Sequence, residues 1–591
     1  MMISTVLDIF KTLFYELVDF YESKYNRDPS HFVRYEYIHE QELLIPIDGN
    51  VKLPKYIVYL SEIPVVKRLS EIKQLAHTYI FLPGATHSRY EHSIGVMSKA
   101  RKIFTQLRNE GKIEAHNDWN IIVDLATFLH DIGHPSWGHA LDGILGTVIE
   151  IIEGMCKCIL PPVKLDIVIA TYLIRENEQL SRALTVIAKN ELSNSLIKQN
   201  LHDIITQIIL EEEQPLFDVV RQNSEVRRLV HIITTILGSY RCRGGVNVDR
   251  LDWLIRDHHH TALNKKLPSE IEENFEKLRL RIEKGNINIE IMNYEYTGIG
   301  DKEFTELLSK VREDVYKHVY ESLPRAFADS LLTRLAYSVI RLVHEIGSRI
   351  AGMSVIARAV LGYLLLPDFV MIDYTRRFLL ASKSFNIFSI IEPTSELRYS
   401  VRSANLLDLL GKLTFLMKEL SRESIAVQKF SPDIGVGFRV VKLPAIDTTI
   451  VLLDAYTLAE IISRIQKQLE QLGLDPTNIL TKVYQYIIIA ARMNPIKGME
   501  AIKLEEDLIE LSKEIYILPN YYAFRKIDDK YFRECHKRVG TIDDLCEYLK
   551  TYERSEVVMF ITIREIGIDT KRVFERTFRN ILNIFTDKLR S

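Results

Sequence analysis

Phe128-Leu129-His130-Asp131-Ile132-Gly133-His134-Pro135-Ser136-Trp137-Gly138-His139 ends an apolar run with an imidazole beside a carboxylate, and two more histidines follow closely. The run before it (Ile121, Ile122, Val123, Leu125, Ala126, Phe128, Leu129) is apolar nearly all round, the pattern of a helix buried on every side. Pro135 disfavours helical backbone at His134, which predicts that His130 and Asp131 lie on the last turn of that helix. Burying such a pair uncompensated would be costly. A metal ion removes the objection, because imidazole and carboxylate are both ligands, and the further histidines are proton-transfer candidates. A helix end with solvated histidines would account for one His-Asp pair standing alone, so the weight falls on what else the chain offers.

Working outward, Thr86-His87-Ser88-Arg89-Tyr90-Glu91-His92-Ser93-Ile94-Gly95-Val96 leads into an inward stripe of Val96, Ala100, Ile103 and Leu107. His92 lies one turn before that stripe on the same face, and Arg89, a turn earlier, could meet a phosphate bidentately. Downstream, Val248-Asp249-Arg250-Leu251-Asp252-Trp253-Leu254-Ile255-Arg256-Asp257-His258-His259-His260 puts Asp249, Asp252, Trp253, Arg256 and Asp257 on one helix face. Taken alone, that charged stripe is a solvated surface and the three histidines a helix end. Taken with the first stretch, His92, His130, Asp131 and Asp249 make a set of imidazoles and carboxylates. Such a mixed set suits Mn, Fe, Zn, Ni or Co better than an all-oxygen Mg cage, with Mg an option alongside substrate. A site of this kind activates water and polarises a phosphoryl oxygen.

The 591 residues allow two or three domains, and 47% hydrophobic with 26% charged residues describes an ordinary globular protein. A net charge of −3 gives no global attraction to nucleic acid or anionic membrane. Cys156, Cys158, Cys242, Cys535 and Cys546 are few and scattered, which fits a reducing cytoplasmic setting better than a disulfide framework. Every apolar run is interrupted before ~18 residues, so no membrane-spanning helix is expected.

The expected architecture is mainly α: a helical core with a small β-hairpin near the amino terminus, followed by a mixed α+β carboxy-terminal region. Residues 1–44 form an N-terminal helical extension, with Val6, Ile9, Phe10, Leu13, Leu17 and Phe20 at helical spacing. Leu43 to Leu53 predicts two short strands around an Asp-Gly turn, and helices follow from about Ser61. A β signal at Asn286 to Tyr296 interrupts them, and they resume through about Gly362. Glu392-Pro393-Thr394-Ser395 is the best boundary, dividing a domain over 45–392 from a region over 393–591 of unassigned role. Beyond it, Ile425 to Phe430, Gly437 to Lys442 and Thr448 to Leu453 predict strands, and Ala455 onward is largely helical.

The pattern His92…His130-Asp131…Asp249 resembles the H…HD…D signature of the HD-domain metal-dependent phosphohydrolase superfamily. Four further stretches are similar to its deoxynucleoside triphosphate triphosphohydrolase branch. Ile45 to Leu53 looks like that branch's opening hairpin, Arg68 to Leu75 like its "RLxxIKQLG" helix, Phe81 to Ser93 like its "FPGAxHxRFEHS" segment, and Val248 to His259 like its "VDxxDYxxRDxxH" helix. They recur in the same order over roughly residues 45–330.

The resemblance implies a metal held by His92, His130, Asp131 and Asp249. It implies Arg89 on the α-phosphate, with Arg250 where the family has a phosphate-binding lysine. Gln74 and Asp257 match contacts to the sugar 3′-hydroxyl, and Trp253 replaces a tyrosine that packs on the sugar. His134, His139 and Asp142 match residues beside the leaving group, and Tyr316 and Tyr320 match a motif near the triphosphate tail. Three departures accompany these matches. Glu150 to Leu160 lacks a histidine that relatives carry there, Ser322 replaces another, and Glu62, Lys67 and Ser70 stand where the regulated branch binds an activating guanine nucleotide. No activation at that last site is therefore expected.

The expected function is hydrolysis of a dNTP to deoxynucleoside and tripolyphosphate. Two alternatives stay open: action on another phosphoester (an NTP, a nucleoside monophosphate, an oligonucleotide or a DNA end), and a non-catalytic nucleotide- or nucleic-acid-binding protein. The expected partners are the nucleotide substrate and further copies of the chain, as a dimer or larger assembly, with no membrane. Locally basic stretches with aromatics at Lys526 to Arg538 and Arg572 to Arg590 leave nucleic acid open without supporting it.

Overall fold

The structure, a computed structural model, describes residues 2–25, 34, 37–109, 118–144, 248–261, 301–320, 322–383 and 399–424, with strands at 438–443, 448–454, 515–519 and 557–564. The cysteines, the β signal at 286–296, the boundary at 392–395, the expected strand at 425–430, the stretch 150–160 and both basic runs lie outside the described residues.

Helix α1 (Met2–Tyr25) opens the fold and buries Phe10, Leu13, Phe14, Leu17, Val18, Tyr21 and Tyr25. Ile9, expected to face inward, is 45% exposed. The buried stripe is rotated toward Phe14 and Val18, because α1 is covered from two sides by later helices. Strands β1 (Gln41–Ile45) and β2 (Gly49–Leu53) pair antiparallel in the expected hairpin. At its tip Ile47 takes φ +77°, an unusual backbone for a β-branched residue.

Helices α2 (Lys55–Glu62) and α3 (Pro64–Lys67) follow, the second started by proline at its first position, where no N–H is needed. The expected helix over Arg68–Leu75 does not form as one. A 3-10 turn covers Arg68–Glu71, Ile72 is extended, and Lys73 makes an isolated bridge to Ser88. Buried Arg68 reaches across to the Ile132 carbonyl at 2.6 Å, a contact that this irregular path permits.

Helices α4 (Arg89–Asn109) and α5 (Asp118–Leu129) pack on each other, and α6 (Val248–Thr261) lies against α4. Helix α7 (Asp301–Val315) runs on into a π-helical turn at Tyr316–Tyr320. The central helix is α8 (Leu323–Ile350), buried without interruption from Leu323 to Ile340. Around it lie α9 (Met353–Leu364), α10 (Asp368–Lys383) and α11 (Tyr399–Ser424). Although α11 begins past the expected boundary, its Leu406, Leu409, Leu410, Leu413, Leu416, Met417 and Leu420 share the same apolar core.

Helices α1 and α9 meet so closely that a Cβ on Gly362 would lie 2.3 Å from the Leu17 carbonyl oxygen. Backbone cannot retreat as a side chain can, so Gly362→Ala should destabilise by about 1–3 kcal/mol, the range of core overpacking. Thermal or urea unfolding checks this, and an unchanged midpoint would contradict the close crossing.

The later strands β3 (Phe438–Leu443), β4 (Thr448–Asp454), β5 (Ile515–Pro519) and β6 (Val557–Arg564) form an antiparallel sheet in the order β3-β4-β6-β5. The first two match expectation, whereas β5 and β6 fall in the tail read as helical. Short apolar runs cannot be assigned by periodicity alone, and β-branched Val557-Val558 and Ile561-Thr562-Ile563 were the available signal.

Candidate metal centre

Three elements bring the ligand candidates together: His92 from the first turn of α4, His130 and Asp131 from beyond α5, and Asp249 from the first turn of α6. Helix α5 ends at Leu129, so the His-Asp pair occupies the turn after the helix and not its last turn. That turn is closed by Ile132 N–H to the Leu129 carbonyl at 3.1 Å and His134 N–H to the Asp131 carbonyl at 3.0 Å.

The candidate ligand atoms of His92, His130 and Asp249 lie within 4.8 Å of one another, close enough to share an ion. The His92 Nε2 is 3.1 Å from an Asp249 carboxylate oxygen, and the His130 Nε2 is 3.5 Å from the same oxygen. Each imidazole is held from behind. His130 Nδ1–H donates to the Thr127 carbonyl at 2.7 Å, and His92 Nδ1 pairs with the Asp252 carboxylate at 2.7 Å. Both rings therefore direct Nε2 at the common point, which is how metal-ligating histidines are oriented. The His130 Nε2 is buried and makes no hydrogen bond, an orphaned donor atom that an ion would satisfy. Asp131 stands at the edge: one oxygen accepts from Arg89 Nη1 at 2.8 Å and is 3.8 Å from His92 Nε2, and the other is 3.5 Å from both His130 and His134.

Burial alone would lower the His92 pKa, but the Asp249 and Asp252 carboxylates outweigh it and raise it from 6.5 to about 10. His130 is raised in the same way, burial being overcome by Asp131 and Asp249. Burial opposes ionisation of Asp131 and Asp249, yet the two histidines, joined at Asp131 by Arg89, hold both carboxyls well below the usual range.

Without metal, stability derived from charged His92 is full below its unfolded value near pH 6.5 and lost as pH rises towards about 10. The carboxylate contribution is present above about pH 4 and lost on acidification. The melting temperature of metal-stripped protein should thus fall as pH climbs from about 6.5. Added Mn²⁺ should stabilise more strongly over the same climb, because imidazoles ligate in the neutral form. Calorimetric melts of stripped and loaded protein across that window test both signs.

Beside this centre, His134 and His139 meet edge to face at 5.0 Å. Asp142 lies in the 3-10 helix Gly138–Ile144, with its side chain outside the described residues. Arg250 is half-buried in the first turn of α6. Trp253, Tyr316 and Tyr320 gather as an aromatic wall, with Trp253 5.6 Å from Tyr320 and 6.2 Å from Tyr316, and Arg325 4.9 Å over the Tyr320 ring. Gln74 is buried, its backbone N–H bonded to the His87 carbonyl and its side-chain oxygen without a hydrogen bond.

Asp257 is fully buried, not part of a solvated stripe. His87 Nε2 sits 2.7 Å from one of its oxygens and the Tyr320 hydroxyl donates to the other. His258 is buried too, and His260 stacks on His87 at 4.3 Å while pairing with Glu91 at 3.0 Å. Ser322 donates to the Val319 carbonyl at the entrance to α8. Glu62 and Lys67 form an exposed ion pair at 2.6 Å.

Two contributors escaped the sequence. His87 sits inside the quoted motif, yet nothing local ties it to Asp257, and Asp252 could be placed only on a charged face. Its i,i+4 relation to Arg256 was the one available hint.

No family model matches the chain. It is 25% identical over 238 residues, 40% of its length, to the deoxynucleoside triphosphate triphosphohydrolase SAMHD1 of Gallus gallus, covering 35% of that protein. It is 39% identical over 101 residues to the Danio rerio protein of the same name, 17% of this chain and 16% of that one. An HD domain-containing protein of Acanthamoeba polyphaga mimivirus is 31% identical over 225 residues, 36% of this chain and 41% of the viral one. The chain thus spans less than half the length of these curated relatives. The similarities support the HD-domain resemblance and, within it, the dNTP triphosphohydrolase branch. No helix among the described residues is long and apolar enough to cross a membrane.

Proposed function

We propose that the chain is a metal-dependent phosphohydrolase acting on nucleotides, and that it cleaves a dNTP to deoxynucleoside and tripolyphosphate. The observation that carries this reading is the convergence of His92 Nε2, His130 Nε2 and Asp249, each imidazole tied behind by an acceptor. Asp131 completes the set from its place against Arg89. A divalent ion bound there supplies Lewis acidity and a more acidic water.

The chain's own residues supply the rest. Arg89, anchored by Asp131, presents its guanidinium to the α-phosphate, and Arg250 adds positive charge for the triphosphate. His134, 3.5 Å from Asp131 and in ring contact with His139, would pass a proton to the departing 5′-oxygen. Gln74 and Asp257 would recognise the sugar hydroxyl, and Trp253, Tyr316 and Tyr320 would pack on the nucleoside. The active assembly in this reading is a homo-oligomer.

A second reading, hydrolysis of a different phosphoester by the same centre, is favoured by Asp257. Both of its oxygens are engaged by His87 and Tyr320, and the neighbouring ring is a tryptophan where the family motif has a tyrosine. Incubating the full-length chain with each dNTP, each NTP and Mn²⁺, with products resolved by ion-exchange chromatography, separates the two. Deoxynucleoside with tripolyphosphate is expected. Release from NTPs alone favours the second reading, and no product from any nucleotide removes the first.

A further inference from the structure

Arg256 is fully buried on α6, away from the candidate ligand atoms, yet every N–H of its guanidinium has an acceptor. Nε and one Nη2 hydrogen bind the two Asp252 oxygens at 2.9 Å each. Nη1 reaches Glu91 at 2.8 Å and the Pro46 carbonyl at 3.0 Å, and the remaining Nη2 hydrogen binds Asp48 at the hairpin tip. Lys99 of α4 bridges the same two carboxylates, 2.5 Å from Asp48 and 2.6 Å from Asp252.

The path from hairpin to metal centre is therefore continuous. Asp48 holds Arg256 and Lys99, these hold Asp252, and Asp252 holds Nδ1 of His92. Buried charges of this density are not efficient stabilisers, since replacing such networks by apolar residues is often neutral or favourable. Their geometric specificity is the more economical explanation. Ile47 in its left-handed backbone turns Asp48 inward, a strained arrangement that the buried ion pairs fix in place.

We propose that Arg256 and Asp48 are positioning residues of the metal centre, acting through Asp252 to fix the ring of His92. This rests on the metal-site reading above and adds a role for the hairpin in it. The test is calorimetric titration of metal-stripped full-length chain with Mn²⁺, with helicity followed by circular dichroism. Asp252→Asn should weaken binding by roughly 10–100-fold, the usual effect of losing a partner that orients a metal-bound histidine. Asp48→Asn touches no ligand and should still weaken binding by about 3–10-fold, a fraction of that range. The double variant should bind no more weakly than Asp252→Asn alone, because the two lie on one path.

Wild-type affinity in folded Asp48→Asn, or additive losses in the double variant, would overturn the proposal. Should Asp48→Asn lose its helicity, Arg256→Lys decides instead: it keeps the charge and loses the two-pronged grip on Asp252. Weakened Mn²⁺ binding in that variant supports positioning, and unchanged binding refutes it. Absence of Mn²⁺ binding in the wild-type chain would instead overturn the metal site itself, a distinguishable result.

Discussion

Asp249→Ala is expected to remove Mn²⁺ binding and nucleotide hydrolysis together while leaving the fold intact. Its carboxylate is the acceptor nearest His92 Nε2, at 3.1 Å, and matches Asp131 at 3.5 Å from His130 Nε2, so without it only Asp131, already engaged by Arg89, is left beside the two Nε2 atoms. Partners that merely orient metal ligands are worth roughly 10–100-fold, so losing a ligand should lower turnover by well over about 100-fold. Folding should survive because the side chain is 33% exposed and its removal leaves no apolar cavity. Metal content by mass spectrometry and turnover on the best nucleotide are the readouts. Retention of both would sink the proposed centre, whereas loss of turnover with full metal content would make Asp249 a substrate-side group.

Gly95→Ala should have the largest effect on stability. Alanine is normally the better helix former by about 1 kcal/mol, so an unconstrained site in α4 would gain. Here the added Cβ would lie 2.0 Å from Arg256 Nη2 and 2.3 Å from an Asp252 oxygen. A long side chain can usually swing aside, but the Arg256 guanidinium is saturated, and moving it strands buried carboxylates. Overpacking at about 1–3 kcal/mol and a broken buried ion pair at about 3–5 kcal/mol do not simply add, so a loss of about 3 kcal/mol or more is the expectation. Denaturant unfolding reads it directly. A stabilised Gly95→Ala would mean that Arg256 does not lie against α4 as described.

Much of the candidate centre was legible in the chain. His130-Asp131 closing an apolar run, His92 ahead of an inward stripe and Asp249 on a patterned helix are local features, and each survived with small adjustments. The hairpin was legible from its turn, and so were β3 and β4. The misplacements have separate causes. Arg68–Leu75 was expected to be helical, but Arg68 is drawn to the Ile132 carbonyl and Lys73 bridges Ser88. Ile9 failed because periodicity gives the spacing of a buried stripe without its width. Strands β5 and β6 failed because short apolar runs carry too few turns of either period.

What the sequence determined by itself was a chemical inventory in order: which residues can bind metal, which helices lie beside them, and where a reverse turn interrupts. Only the tertiary structure decided what each charge meets. The face of α6 bearing Asp252, Arg256 and Asp257 looks solvated in isolation, since a helical period cannot say whether a face meets water or protein. Burial there is tolerable because Asp48 arrives from the hairpin, Lys99 and Glu91 from α4, and His87 with Tyr320 from either side of Asp257. Those partners are far apart in the chain and meet only when it is folded. The order of the candidate ligands is a property of the sequence, and the field around them is a property of the packing.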